Sequence, residues 1–451
     1  MNLKKIGIFL LVMFIVAALL FIMKKQSSIY YYYDVSKDYI YDFNQTTTKI
    51  DNLNLKDGVI TLSKDYDINQ TMFLKVDITA SFMSMVFQPS IKTISQKSST
   101  IQYVEHRAKG IRYINISSLV SKKGDKIKLV GKYIDIPNQT IQLVSFKNKT
   151  IKNPTILILA PHPDDAEIAA FGLYSKNSKS YIITITAGDA GEYMYDEIYS
   201  NKVKHYLKKG EIRTFNSITV PLLGGIPPKQ AINLGFFDGT LKKMYQNKSY
   251  AVEGLYTKTS DIDTFRKQNL SIVSKGLSGD SSWNSLVSNL KYLLKTIKPD
   301  IIVTPYPKLD SHSDHKYASI ALFEAIKSLN IKKGELYLYS NHYSLSEYYP
   351  YGDKGAMDSL PPQIDNIYFD KIISYTLSSD MQKDKIFALE AMNDLRQDTQ
   401  WSLIPPFVRQ VKIFLGIDKS YYRRAIRNNE LFFVINIDSI YDEKVFNSLI
   451  E

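Results

Sequence analysis

Two short stretches of the chain gather the side chains that metal-assisted hydrolysis needs. Pro161-His-Pro-Asp-Asp-Ala-Glu167 sets one imidazole beside two consecutive carboxylates, and Asp310-Ser-His-Ser-Asp-His315 adds two imidazoles and two more carboxylates. The chain has 6 His in 451 residues, and three of them fall in these segments. Imidazole and carboxylate suit a catalytic divalent metal, and a second carboxylate nearby can take a proton from water. Adjacent Asp164 and Asp165 in an irregular turn point different ways, so one can ligate while the other faces substrate. Cys is absent. That excludes disulfides, thiolate metal sites and thiol catalysis, and leaves zinc chemistry to His, Asp and Glu. Singly, each string is weak, and Asp314 could do no more than cap a helix. Together they point to one site.

The hydrophobic pattern shows what must position them. Thr155-Ile-Leu-Ile-Leu-Ala160, Tyr181-Ile-Ile-Thr-Ile-Thr186 and Asp300-Ile-Ile-Val-Thr304 are apolar runs of the kind buried on both faces of a parallel sheet. Helical patterns cover Ser282–Ile297 and His315–Leu329. The alternation predicts an α/β catalytic domain with a Rossmann-like, mostly parallel sheet, and ligands at the carboxyl ends of its strands. Both clusters follow such strands.

Upstream the period changes. From Ile29 to Asn148, short period-2 runs such as Met72–Thr79 and Thr140–Phe146 predict antiparallel strands in a small β-sandwich. This region holds no motif that carries chemistry, which suits a spacer or a carbohydrate-binding module. Before it, Ile6–Met23 is 18 residues without charge or Pro, flanked by Lys4, Lys5, Lys24 and Lys25. As a helix it would span about 27 Å, near the hydrocarbon thickness of a bilayer. No small-x-small cleavage site ends it. The expected organisation is a membrane anchor over 1–28 with a transmembrane helix at 6–23, a β-rich domain over 29–150, and a catalytic domain over 151–451. The anchor implies a single-pass membrane protein with its catalytic domain outside the cytoplasm, periplasmic or at the cell surface. The formal charge of +12 suits an anionic surface. No zinc-finger, RNP or helix-turn-helix signature accompanies it, so no nucleic-acid partner is expected.

On these motifs the chain resembles the PIG-L/LmbE-like family of zinc-dependent N-acetyl-sugar deacetylases. Thr186-Ala-Gly-Asp-Ala-Gly191, Leu234-Gly-Phe-Phe-Asp-Gly239, Lys385–Ala391 and Glu430-Leu-Phe432 extend the likeness over about Pro154 to Val434. The resemblance implies zinc held by His162, Asp165 and His315, with Asp164 as general base. His312 would stabilise the oxyanion or protonate the leaving amine, and Asp314 would orient it. Arg213, taken to open a helix, and Asp238 would contact the sugar. Asn216, Met392 and Asp394 depart from the family pattern and put substrate contacts in doubt. His342, before the Tyr349-Pro-Tyr-Gly352 loop, is a candidate substrate wall. His106 and His205 are expected at the surface or in packing, and Trp283 and Trp401 in the core. The expected function is a membrane-anchored, zinc-dependent deacetylase acting on an N-acetylated sugar of an envelope glycan or glycolipid. The alternatives are an amidase for another small amide conjugate and an inactive carbohydrate-binding envelope protein.

Overall fold

The computed structural model describes residues 7, 10–14, 17, 31–43, 48–67, 69–117, 119, 122–148, 151–193, 195, 198–395 and 420–451. Most of the apolar run expected to span a membrane at 6–23 lies outside these residues, as does Trp401. Among the described residues no helix is long and apolar enough to cross a membrane.

Nine strands are described before residue 147: β1 (Thr48–Leu55), β2 (Val59–Thr61), β3 (Thr71–Ala80), β4 (Ser90–Ile94), β5 (Ser99–Tyr103), β6 (Lys109–Asn115), β7 (Lys126–Lys132), β8 (Ile134–Asp135) and β9 (Gln139–Phe146). They pair antiparallel in two sheets, ordered β1-β9-β3-β6 with β8 beside β3, and β2-β7-β4-β5. Alternate residues such as Leu74, Val76, Ile78, Ile127 and Leu129 bury one shared apolar core, as period-2 patterning requires.

The catalytic half is built on β10 (Ile156–Ala160), β11 (Ser180–Thr186), β12 (Ala231–Phe236), β13 (Ile301–Pro305), β14 (Glu335–Tyr339), β15 (Lys371–Thr376) and β16 (Asn429–Asn436). Their order is β12-β11-β10-β13-β14-β16-β15. The first five are parallel, and β16 runs antiparallel between β14 and β15. The sheet is therefore mostly parallel, as expected, but the antiparallel β16 makes it mixed and not clearly Rossmann-like. The helices that matter to the site are α1 (Asp165–Ser175), α2 (Lys202–Thr219), α3 (Trp283–Ile297), α4 (Ser313–Ser328), α5 (Ser379–Ala391) and α6 (Tyr421–Ala425). Ser282 caps α3 by accepting from the Ser285 N–H, and Trp283 is fully buried. From β10 the chain moves to β11 and β12 on one side, while β13 leads to β14 on the other. That reversal opens a crevice at the carboxyl ends of β10 and β13.

The two halves share one aromatic core. Phe73, Tyr113 and Phe146 of the antiparallel unit are buried with Phe369 and Phe433 of the catalytic half, and Tyr41 stacks on Phe433 with ring centroids 6.4 Å apart. Hydrogen bonds reinforce the contact, including Asn115 Nδ2 to Ser374 Oγ at 2.9 Å. The β-rich unit is packed onto the sheet that carries the site.

Candidate active site

Strand β10 ends where Pro161 and Pro163 remove ladder donors and fix φ. The Thr186 N–H and hydroxyl both donate to the Pro161 carbonyl, at 3.0 and 2.9 Å, pinning the turn to β11. Asp164 and Asp165 thus stand at the start of α1, where a helix favours negative charge. After β13 the chain turns through Asp310 into α4, with His312 at its N-cap position.

These turns bring the two clusters together. His162 Nδ1 lies 3.2 Å from His315 Nε2 and 3.3 Å from Asp165 Oδ2, and His315 Nε2 lies 3.2 Å from Asp165 Oδ2. Three ligands about 2.0–2.1 Å from a tetrahedral zinc would be separated by roughly 3.3 Å. The donor set fits such an ion, with one face of the tetrahedron left for water or substrate. All three residues are buried. His312 brings a third ring nitrogen within 4.8 Å of those of His162 and His315.

Each imidazole of the set backs onto a carboxylate. His315 Nδ1 is 3.0 Å from Asp310 Oδ2, and His162 Nε2 is 3.0 Å from Asp238 Oδ1. Such partners fix the ring orientation of a metal-bound histidine and raise its basicity. Asp310 also accepts the N–H groups of His312 and Asn341, each at 3.0 Å. Asn341 Nδ2 in turn donates to Asp165 Oδ1 at 2.7 Å.

The electrostatics follow from these contacts. Burial opposes a charge on His162 and His315, but the carboxylates outweigh it, holding His162 well above the usual range and raising His315 to about 10. Asp165 is held well below its ordinary value against the effect of burial, chiefly by His315. The carboxylate excess asks for positive charge, and a divalent cation would take the place of the two protons. Burial raises Asp164, Asp165 adds to the rise, and Arg213 opposes it. Burial lowers His312 and takes His342 down to about 3. Glu167 is pushed up to about 8 by burial and accepts from the Tyr174 hydroxyl.

The remaining candidates fall at or beside the site, some in unexpected roles. Arg213 lies well inside α2 and does not open it. Its Nη2 is 2.8 Å from Asp164 Oδ2, its Nε 3.2 Å from Asp394 Oδ2, and its Nη1 donates to the Gly188 carbonyl at 3.1 Å. Arg213 therefore grips Asp164, and Asp238 grips His162; their first partners are protein groups where sugar contacts were expected. The Asp314 carboxylate accepts from the Gly239 and Leu241 N–H groups, and its Oδ2 is 3.5 Å from His162 Nε2. It is not hydrogen-bonded to His312, whose Nδ1 has no partner among the described residues. His342 joins the cleft, with its ring 5.1 Å from that of His312 and the Tyr421 hydroxyl 2.9 Å from its Nε2. His106 and His205 are buried packing residues, the first bonded to the Ser84 carbonyl and the second to the Tyr195 N–H.

Residue-by-residue reading missed Asp310, Asn341, Lys209 and Tyr421. Asp310 stood inside a quoted motif and gave a signal of sorts. The others share no spacing with the clusters. Asp394, noted only as a departure, bridges Lys209 and Arg213. Lys209, Asp394 and Tyr421 line, with His162, Asp164 and Asp165, a cleft of about 320 Å³.

Residues 157–326 match the family model described as PIG-L: GlcNAc-PI de-N-acetylase. That match takes in both clusters, from His162 to His315. No curated protein matches the chain. Among solved structures, the zinc-inhibited form of teicoplanin deacetylase Orf2 aligns at 14% identity over 62% of this chain and 98% of its own, with a TM-score of 0.32. GalB, the 4-carboxy-2-hydroxymuconate hydratase of Pseudomonas putida, aligns at 13% over 61% and 94%, with a TM-score of 0.32. The conserved protein TT1542 from Thermus thermophilus aligns at 16% over 62% and 93%, with a TM-score of 0.26. Likeness at this level does not choose the reaction; the site must.

Proposed function

We propose that the protein is a zinc-dependent N-deacetylase that hydrolyses the N-acetyl amide of an amino sugar in an envelope glycan or glycolipid. The observation that carries this reading is the triangle of His162 Nδ1, Asp165 Oδ2 and His315 Nε2, with the adjacent Asp164 carboxylate held in place by Arg213. Zinc bound by this set supplies Lewis-acid polarisation of an amide carbonyl and acidifies water. Asp164 takes the proton of the attacking water; its burial raises its pKa and so its basicity. His312, kept neutral by burial and by its neighbouring imidazoles, donates a ring hydrogen bond to the developing oxyanion. The proton gathered by Asp164 then goes to the departing amine. His342 and Tyr421 form the opposite wall of the cleft.

The uncharged run Ile6–Met23 supports a single-pass anchor, with the catalytic domain on the periplasmic side or at the cell surface beside its glycan. The test is acetate release from a panel of N-acetylated glycans and glycolipids, with and without chelator. Chelator-sensitive release from an N-acetyl sugar is the expected result. No release from any of them by zinc-loaded protein would sink the reading.

A further inference from the structure

Behind the catalytic cleft lies a second chamber of about 80 Å³, and the two share Ile168 and Tyr421 as a common wall. That volume is several times the ~10–15 Å³ a single water needs. Its charged lining is uneven. Lys385 Nζ and Glu430 Oε1 pair at 2.9 Å and cancel. Arg427 Nε stands 3.9 Å from Asp358 Oδ1, while Arg427 Nη1 donates to the Asp353 carbonyl at 2.9 Å. Arg424 remains. It is 9% exposed, its Nη1 donates to the Asn341 carbonyl at 3.1 Å, and its guanidinium lies over the Tyr421 ring at 4.3 Å. Its Nε is buried and meets no acceptor among the described residues.

A buried guanidinium without a counter-charge is costly unless an anion visits it. Burial pushes Asp358 up to about 7, so the carboxylate beside Arg427 carries less than its full charge at neutral pH. The front cleft has the opposite balance, with Asp164, Asp165 and Asp238 around the metal set. A carboxylate formed there is drawn to the Arg424 guanidinium across Tyr421, which meets no acidic partner among the described residues.

We propose that the rear chamber is a subsite for the small carboxylate released by hydrolysis, acetate, with Arg424 as its anion-binding residue. The source of the acetate rests on the deacetylase reading: water adds to the carbonyl carbon, the C–N bond breaks, the amine leaves with a proton, and acetate departs as the anion. Arg424 lines the chamber and offers its guanidinium to the carboxylate, and Leu338, Leu431 and Phe433 give its methyl group an apolar wall.

The experiment titrates the full-length, zinc-loaded protein with ¹³C-labelled sodium acetate and follows binding by NMR, before and after removal of the metal. The expected result is saturable binding that survives chelation and weakens at least about tenfold in Arg424→Met. Asp358→Asn, which removes the opposing carboxylate, should tighten binding by about threefold, a readout that does not depend on the arginine variant folding. Absence of saturable binding, its loss on chelation, or the same affinity in both variants would overturn the proposal. Chelation-resistant acetate binding without turnover of any N-acetyl sugar would refute the deacetylase reading and leave the subsite standing.

Discussion

Two buried charged clusters in this chain have similar ingredients and opposite outcomes. In the antiparallel unit, Arg112 Nε meets Glu105 Oε2 at 3.1 Å, and the other guanidinium nitrogens reach the carbonyls of Val35, Lys37 and Ile111. Glu105 Oε1 accepts from the hydroxyls of Tyr33 and Tyr39. One negative charge meets one positive charge, and the polar atoms are satisfied. In the crevice, among the described residues, six carboxylates (Asp164, Asp165, Asp238, Asp310, Asp314 and Asp394) face two cations, Lys209 and Arg213. His312 Nδ1 is left without a partner among the described residues. Burial is common to both clusters. What separates them is whether the charges close on themselves, and only the open cluster has work for a metal ion to do.

The sharpest way to break this contrast is His315→Ala, which should abolish metal binding and turnover together; full metal occupancy by elemental analysis would contradict the ligand set. Arg112→Met opens the closed cluster and leaves Glu105 buried and unpaired. It should cost about 3–5 kcal/mol in denaturant unfolding, with kcat per folded molecule unchanged. A comparable fall in kcat would show that the antiparallel cluster also serves catalysis. Asp164→Asn should lower kcat by about 10²-fold or more while the metal stays bound, and near-normal turnover would remove the base assignment. Asp310→Asn withdraws the carboxylate behind His315 and should weaken metal affinity by about 10- to 100-fold, readable by competition with a chromogenic chelator.

The smallest effect is in the pH profile. Asp164 acts as base only when ionised, and burial has raised its pKa, so activity should fall on acidification above the ordinary carboxylate range. Arg213 holds that value down. Arg213→Gln should therefore move the acid limb of kcat/KM upward by about one pH unit, and an unmoved limb would mean the guanidinium does not act on Asp164.

Much of the catalytic half was legible locally. Strands β10, β11 and β13 follow the three apolar runs, and α3 begins at its Ser282 cap. Other features were not. Strand β16 enters between β14 and β15 in the antiparallel sense, and nothing in its apolar residues says which neighbours it takes. In the antiparallel unit, Phe73, Tyr113 and Phe146 followed the expected pattern, but their second partners lie in the catalytic half. Asn341 reaches Asp165 across 176 residues, and no spacing rule connects them.

Local sequence was enough to say which side chains could do chemistry. An absent cysteine and two clusters at strand ends left His and Asp/Glu as the candidate ligands, and the family resemblance singled out His162, Asp165 and His315, because strand and turn propensities act over a few residues. How those side chains are held and spent came from the folded chain alone. Asp310 and Asp238 orient the histidines, Arg213 is committed to Asp164 and Asp394, and Arg424 meets no counter-charge among the described residues. Those assignments depend on distances of about 3 Å between groups far apart in the chain, and only packing fixes such distances.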